Sequence, residues 1–438
     1  MSAPSAHTLT SGVFDPTFGT EGKVVLNHLI TAMAVLSIGP IIALAESKSL
    51  VLFNVLDNER GVTAVAKLTD RGALDTAFNN GNGYLIETFE ENAIINPLSI
   101  KQLDDGRILT LTAYLNLKTA EYIPSLALYE ADGTPVRSFG INGRSTIHSL
   151  PPLEGVSQYT LEQIKTAVPQ PTGSTTLQSA SLQVSDKGNI TFAFHHRIPV
   201  ASIPAHHYLI QLDSNGSLNT DFQNTGYVKY TLDGPAMSIH NFTPRPEGGW
   251  YLVGVLNQNA ALAAVKDDGA LDTSFNGTGF RIIRNSSLPS AFRSVFVKAD
   301  HTVLTAGSQE SSTAMASIAF ILGTSPSGQP SEKFINVSYN QPMKESSFIG
   351  LTSTPTDSLI WATVNVTTPT TVQSLIGRFT PQGQFDNTFG DGGYYPMPLH
   401  DEIVSVATQF DGKLLTTNHE GPQEGETQWR WTIRRLLV

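Results

Sequence analysis

Gly269-Ala270-Leu271-Asp272-Thr273-Ser274-Phe275-Asn276-Gly277-Thr278-Gly279 is one copy of an element that recurs along the chain. Aligned on the phenylalanine there are seven copies, at Phe18, Phe78, Phe139, Phe222, Phe275, Phe334 and Phe389. Six residues before each stands a glycine: Gly12, Gly72, Gly133, Gly216, Gly269, Gly328 and Gly383. Glycine is 36 of 438 residues, so seven matches in seven are not coincidence. Three residues before the phenylalanine stand Asp15, Asp75, Asn219, Asp272 and Asp386, with Val136 and Ser331 departing. Four residues after it stand Gly22, Gly143, Gly226, Gly279 and Gly393, with Gly83 displaced by one and Ser338 departing.

The chemistry of the element is that of a turn. Glycine accepts positive φ without a Cβ clash, and Asp or Asn side chains bond backbone N–H groups a little further on. The phenylalanine then plugs an apolar pocket and anchors a polar loop. The repeated aspartate reads as a turn residue, because carboxylates are common in turns and seven active sites on one chain are not.

Each copy has the same surroundings. An apolar strand precedes it, such as Ala64-Val65-Ala66-Lys67-Leu68, and before that comes a hairpin turn, clearest at Asp105-Gly106-Arg107, Lys187-Gly188-Asn189 and Asp411-Gly412-Lys413. Another strand follows, such as Lys23-Val24-Val25-Leu26 or Phe280-Arg281-Ile282-Ile283. Four strands per unit, repeated seven times, predict an all-β, seven-bladed β-propeller forming a single domain over residues 1–438. After Phe389 only three strands are expected, over 403–408, 414–417 and 428–436, whereas Gly12 to Leu26 offers a fourth. The N-terminal strand should therefore complete the last blade and close the ring, removing exposed sheet edges.

The segments 269–279 and Gly383-Gln384-Phe385-Asp386-Asn387-Thr388-Phe389-Gly390-Asp391-Gly392-Gly393 resemble the bacterial delta-60 repeat. That family is taken to form β-propellers and carries no general biochemical activity. The resemblance covers nearly the whole chain, implies a propeller of bacterial origin, and transfers no catalytic residue. The units around Phe139 and Phe334 depart from the pattern, which implies irregular loops there.

Bulk composition narrows the function classes. The net charge of -11 argues against nucleic acid, which needs a basic stripe, and against anionic membrane surfaces. With no cysteine there is no disulfide framework, thiolate metal site or cysteine nucleophile. Met1-Ser2-Ala3-Pro4-Ser5-Ala6-His7 lacks the basic-then-apolar order of a secretory signal, so the expectation is a cytoplasmic protein or one exported without a cleavable leader. The longest apolar run, Leu29 to Ala45, is broken by Gly39-Pro40 and reads as strand rather than as a membrane span.

Propeller topology puts the Gly-Phe turns and the Asp-Gly-type turns on one face. The loops joining second and third strands, and the crossings between blades, fall on the other. That second face varies, and variable loops on a rigid scaffold are the usual seat of function. Three features gather there. Phe139 to Phe222 spans 83 residues against 53 to 61 elsewhere, which marks an insertion over about 150–175, bounded by Pro151-Pro152 and Pro169-Gln170-Pro171. Leu161, Ile164 and Val168 keep helical spacing within it, as a lid or a surface decoration would. His195-His196 and His206-His207 flank a proline-containing loop, and a hairpin would set His195 opposite His207 and His196 opposite His206. They are the candidate metal ligands, although zinc needs a third protein ligand and no local motif supplies it.

The third feature is a set of carboxylates where the chain enters the innermost strands: Glu90, Glu91, Asp233, Glu345, Asp401 and Glu402, with His28 and His400 nearby. Gathered round a channel mouth, they would bind a cation or basic ligand or supply acid–base pairs; alternatively they are a hydrated acidic rim. There is no Gly-x-Ser-x-Gly elbow, phosphate loop, His-Glu-x-x-His or calcium loop. Trp250, Trp361, Trp429 and Trp431 do not recur in register as a repeated sugar-stacking site would. The expectation is a monomeric, non-catalytic binding scaffold for a protein, peptide or glycan, with no cofactor unless the histidines hold a metal. A hydrolase or lyase at the channel mouth and a secreted bacterial effector or toxin component are the alternatives.

Overall fold

The structure, a computed structural model, describes residues 12–437 apart from 58–59, 88–93, 117–118, 120, 154–181, 199–203, 285–287, 311–316, 335, 340–344, 355–358, 369–370 and 423–428. It is a seven-bladed β-propeller of seven four-stranded antiparallel sheets. The innermost strands of blades 1 to 7 are Ala34–Ala43, Ile94–Gln102, Leu182–Val184, Ser238–Pro244, Ser290–Val297, Glu345–Ser353 and Asp401–Thr408. The insertion expected over 150–175 falls largely outside the described residues; Leu150 and Leu153, at its start, are buried. No helix among the described residues is long and apolar enough to cross a membrane.

The apolar interior is divided into seven layers, one between each pair of neighbouring blades. This division explains the sequence pattern. A middle strand such as Ser49–Asp57 is covered on both faces, so it reads as a nearly continuous buried run, Leu50-Val51-Leu52-Phe53, rather than an alternating one. Every layer contains one of the seven repeat phenylalanines, all of them buried.

Six of the seven phenylalanines, all but Phe334, are seen to reach forward to the glycine of the next blade. A Cβ at Gly133 would lie 2.9 Å from Phe78, one at Gly216 2.9 Å from Phe139, and one at Gly269 2.7 Å from Phe222. These glycines also have φ between +79° and +90°. They are glycine for two independent reasons, a left-handed backbone and a ring packed against Cα. The residue after the phenylalanine adds a main-chain bond in the same direction, as from Asn79 N–H to the Asp132 carbonyl at 2.7 Å and from Gly140 N–H to that of Asn215 at 2.7 Å. The repeat is thus a latch between blades. The aspartates close the turn: Asp15 accepts from Thr17 N–H at 3.0 Å, Asp272 from Ser274 at 3.2 Å and Asp386 from Thr388 at 3.0 Å.

Blade 7 joins the two ends of the chain. Lys23–Val25 pairs with Arg430–Leu436 in the register Lys23↔Arg434, Val24↔Ile433, Val25↔Thr432. Gly12 N–H donates to the Leu437 carbonyl at 3.0 Å and Leu437 N–H to that of Val13 at 2.9 Å. A buried ion pair, Arg435 Nη2 to Asp15 Oδ2 at 2.9 Å, fastens the same join. Burial pushes the Asp15 carboxyl up, but the Thr17 bonds and the Arg435 and Lys413 charges hold it below its ordinary value. Gly12 meets Phe389 and Phe18 meets Gly72, so the seam uses the same latch as the other interfaces.

Candidate functional site

The innermost strands carry a recurrent irregularity. Their pairing with the second strand slips by one residue at Leu36 in blade 1, Leu98 in blade 2, His240 in blade 4, Arg293 in blade 5, Ile349 in blade 6 and Val404 in blade 7. A bulge leaves its extra residue outside the ladder and frees neighbouring backbone groups. Four of these positions are aliphatic. The polar two, His240 and Arg293, sit in adjacent blades, third and fourth in their strands and so just below the variable face.

The freed carbonyls are taken up by histidines. Nε2 of His195, in blade 3, lies 2.6 Å from the carbonyl oxygen of Ile239, directly before His240. Nδ1 of His240 lies 2.6 Å from that of Phe292, directly before Arg293. A carbonyl only accepts, so these nitrogens carry the protons, and among the described residues the opposite nitrogen of each ring has no hydrogen bond. The ring of His207 packs edge-on against His195 with centroids 4.0 Å apart, and His240 lies 6.3 Å from His195. Nδ1 of His207 is buried without a hydrogen bond. Among the described residues Arg293 makes no hydrogen bond or ion pair, and burial lowers its ordinary value.

The hairpin of blade 3 pairs His195 with His207 and His196 with His206. Alternation along a strand then sends the pairs to opposite faces. His195 and His207 turn to blade 4, while His196 faces blade 2, its Nε2 3.7 Å from Glu121. The four histidines therefore do not converge. Among the described residues no three His, Asp or Glu side chains are grouped so as to hold a metal ion.

The expected carboxylates are dispersed. Glu90 and Glu91 lie outside the described residues, and of Glu345 only its place at the start of a strand is described. Asp233 and His400 are exposed turn residues with φ of 51° and 62°, and His28 is exposed on the short helix Leu26–Leu29. Glu402 accepts from Asn365 Nδ2 at 3.3 Å. Asp401 is different: it is 0% exposed, 2.7 Å from Nε of Arg434, and accepts from Asn418 Nδ2 at 2.8 Å. Arg434 also reaches Glu420 at 3.4 Å, which meets Lys23 at 3.1 Å. Burial pushes Asp401 up to about 6, the Glu420 charge adding to the rise and Arg434 opposing it.

A groove of about 600 Å³ opens on the opposite face, at the far ends of the innermost strands of blades 4 to 7. Arg245, Lys298 and His301 line it, but Arg245 is paired with Glu247 and Asp272 and Lys298 with Asp300.

No family model matches the chain, and no curated protein matches it. Solved structures do resemble it. Prolyl oligopeptidase B from Galerina marginata is 9% identical with a TM-score of 0.46, over 90% of this chain and 48% of that one. A protein from Lactobacillus plantarum is 11% identical with a TM-score of 0.42, over 89% and 99%. An endo-arabinase from Bacteroides thetaiotaomicron is 10% identical with a TM-score of 0.35, over 60% and 94%. Likeness at this level bears on neither activity nor ligand.

The buried rings make stability depend on pH. Burial and neighbouring positive groups press His207 down to about 2 and His240 down to about 3. A group depressed in the folded state contributes stability above its unfolded value, near 6.5, and loses it as pH falls toward the folded value. Each ring should therefore contribute about 2 kcal/mol less near pH 5 than near pH 7. Asp401 acts in the opposite sense, adding about 1 kcal/mol over the same interval because its folded value is raised. The net expectation is a lower melting temperature at about pH 5 than at about pH 7, measured by scanning calorimetry. A flat or rising profile would show that the imidazoles are not held neutral.

Proposed function

We propose that the chain is a non-catalytic binding protein of the delta-60 repeat kind, which offers the variable face round the channel mouth to a protein, peptide or glycan. The observation that carries this reading is the sealing of Asp401. A carboxyl raised to about 6 beside a second carboxylate has the profile of a general acid, but this one is 0% exposed and tied to Arg434 and Asn418. No substrate reaches it without opening blade 7. The other described acids at the strand entries are exposed singly or bonded within the fold, as a rim is rather than an acid–base pair.

The test is a melting-temperature panel of mono- and oligosaccharides, short peptides and divalent cations with and without chelator, run beside turnover assays on glycan, ester and peptide substrates. A bound ligand at about 100 times its dissociation constant adds near 2.7 kcal/mol, so the expected result is a clear upward shift without turnover. Turnover that disappears in Asp401→Asn would replace this reading with the hydrolase or lyase one.

A further inference from the structure

The polar sector of the channel mouth is basic: it carries Arg293, in blade 5, and Arg197, and among the described residues no acid acts on Arg293. The groups that act on it and on the rings beside it are His195, His206, His207 and Arg197 from blade 3 and His240 from blade 4, all basic or neutral. A half-buried guanidinium without a counter-charge costs desolvation that the fold does not recover. The overall charge of -11 makes this local excess of basic groups unusual within the molecule.

The neighbouring rings are arranged to complement it. His195 and His240 each donate one N–H to a carbonyl freed by a bulge, which fixes the ring and leaves the second nitrogen able to take up a proton. A guanidinium presents a planar fork that matches a carboxylate or phosphate through two parallel bonds. Two imidazoles that gain protons as the anion arrives would supply further charge-assisted donors. A metal fits less well: the His195 and His207 centroids, 4.0 Å apart, place the rings in contact rather than around an ion, and Arg293 repels a cation.

We infer that Arg293, His240 and His195 form an oxyanion-binding site at the variable-face mouth of the channel, which takes the carboxylate or phosphate group of a ligand. This inference rests on the binding reading above and names the chemistry of the group held. Binding draws protons onto the rings, so affinity rises as pH falls, by roughly tenfold per pH unit for each proton taken up.

The test uses the whole chain and calorimetric titration with acetate, succinate, citrate and inorganic phosphate at constant ionic strength, at about pH 7.5 and about pH 5.5. Wild type should bind at least one of these anions, and more tightly at the lower pH. A phosphate-only or carboxylate-only response identifies the source. Arg293→Gln should weaken binding by roughly 10- to 100-fold, while its ligand-free melting temperature stays level or rises. Arg293→Lys should retain part of the affinity, and His240→Gln should flatten the pH dependence. Four results would overturn the site: no anion binds; Arg293→Gln binds as wild type does; its ligand-free melting temperature drops sharply, which makes the arginine structural; or zinc chloride stabilises the protein through the histidines where the anions do not. A saccharide or peptide shift that persists while all anions fail would leave the binding reading standing and remove only this site.

Discussion

Deleting residues 1–28 yields a protein that aggregates or lacks a single cooperative unfolding transition. The deletion removes the outermost strand of blade 7, the Phe18 plug in the layer shared with blade 1, and Asp15, the partner of Arg435. Val24, Leu26 and Ile30 belong to that same layer, and cutting after residue 28 takes the first two with Phe18. Arg435 and Arg434 would remain as buried cations, Arg435 without its carboxylate and Arg434 with an exposed flank where Lys23 ran. Losing one member of a buried pair costs about 3–5 kcal/mol, and a phenylalanine lost from a core costs about 3–5 kcal/mol more. Together these approach the whole stability of an ordinary domain, about 5–15 kcal/mol. The exposed edge of Arg430–Leu436 would also present unpaired backbone groups to other chains. Size-exclusion chromatography and calorimetry check the outcome; a soluble monomer with one sharp transition would show that the seam contributes little.

The ring was legible in the sequence because one local constraint repeats. A left-handed glycine and a buried ring six residues later are needed at every interface, so the pattern survives even where the strands between copies share little. What was not legible depends on pairing between distant strands. The seventh blade's second strand runs to Glu420 rather than stopping at Thr417, because Asn418, His419 and Glu420 are buried between blades. Polar residues in that run look like a loop until Asp401, Arg434 and Lys23 come up beside them.

The candidate site divides the same way. The facing of His195 and His207 follows from a hairpin, which is local, and the sequence reading placed it. His240 and Arg293 are positioned by bulges, where one residue leaves the ladder. A bulge shows in the sequence only as a one-residue slip in the apolar alternation, as between Ile239 and Phe242 or Phe292 and Val295, and that slip alone does not say which side chain leaves the ladder. Asp401 was visible as an acid at a strand entry, but whether it meets solvent or Arg434 is decided by a residue two strands away.

Phe222→Ala destabilises the protein by about 3–5 kcal/mol, and Gly269→Ala by about 1–3 kcal/mol, yet the double variant costs clearly less than their sum. Phe222 is 0% exposed in the layer between blades 3 and 4, and truncation leaves a cavity there that the neighbouring strands cannot fill by collapsing. Gly269 has φ of +84°, so alanine pays for a left-handed backbone, and its methyl would lie 2.7 Å from the Phe222 ring. The first cost is intrinsic to residue 269. Most of the second exists only while the ring is present, the other close neighbour being Gln223 Cγ at 2.9 Å, on a flexible side chain that can move aside. Removing the ring relieves the clash and lets the methyl occupy part of the cavity, so the two substitutions must interact if the latch is a direct contact between blades. Urea unfolding of the four proteins measures the coupling; additive costs would mean that the phenylalanine and the next blade's glycine are conserved in spacing for separate reasons, with no energy in their contact. The same cycle at Phe139 and Gly216 should give coupling of the same sign, because the Cβ there would also approach the ring, at 2.9 Å.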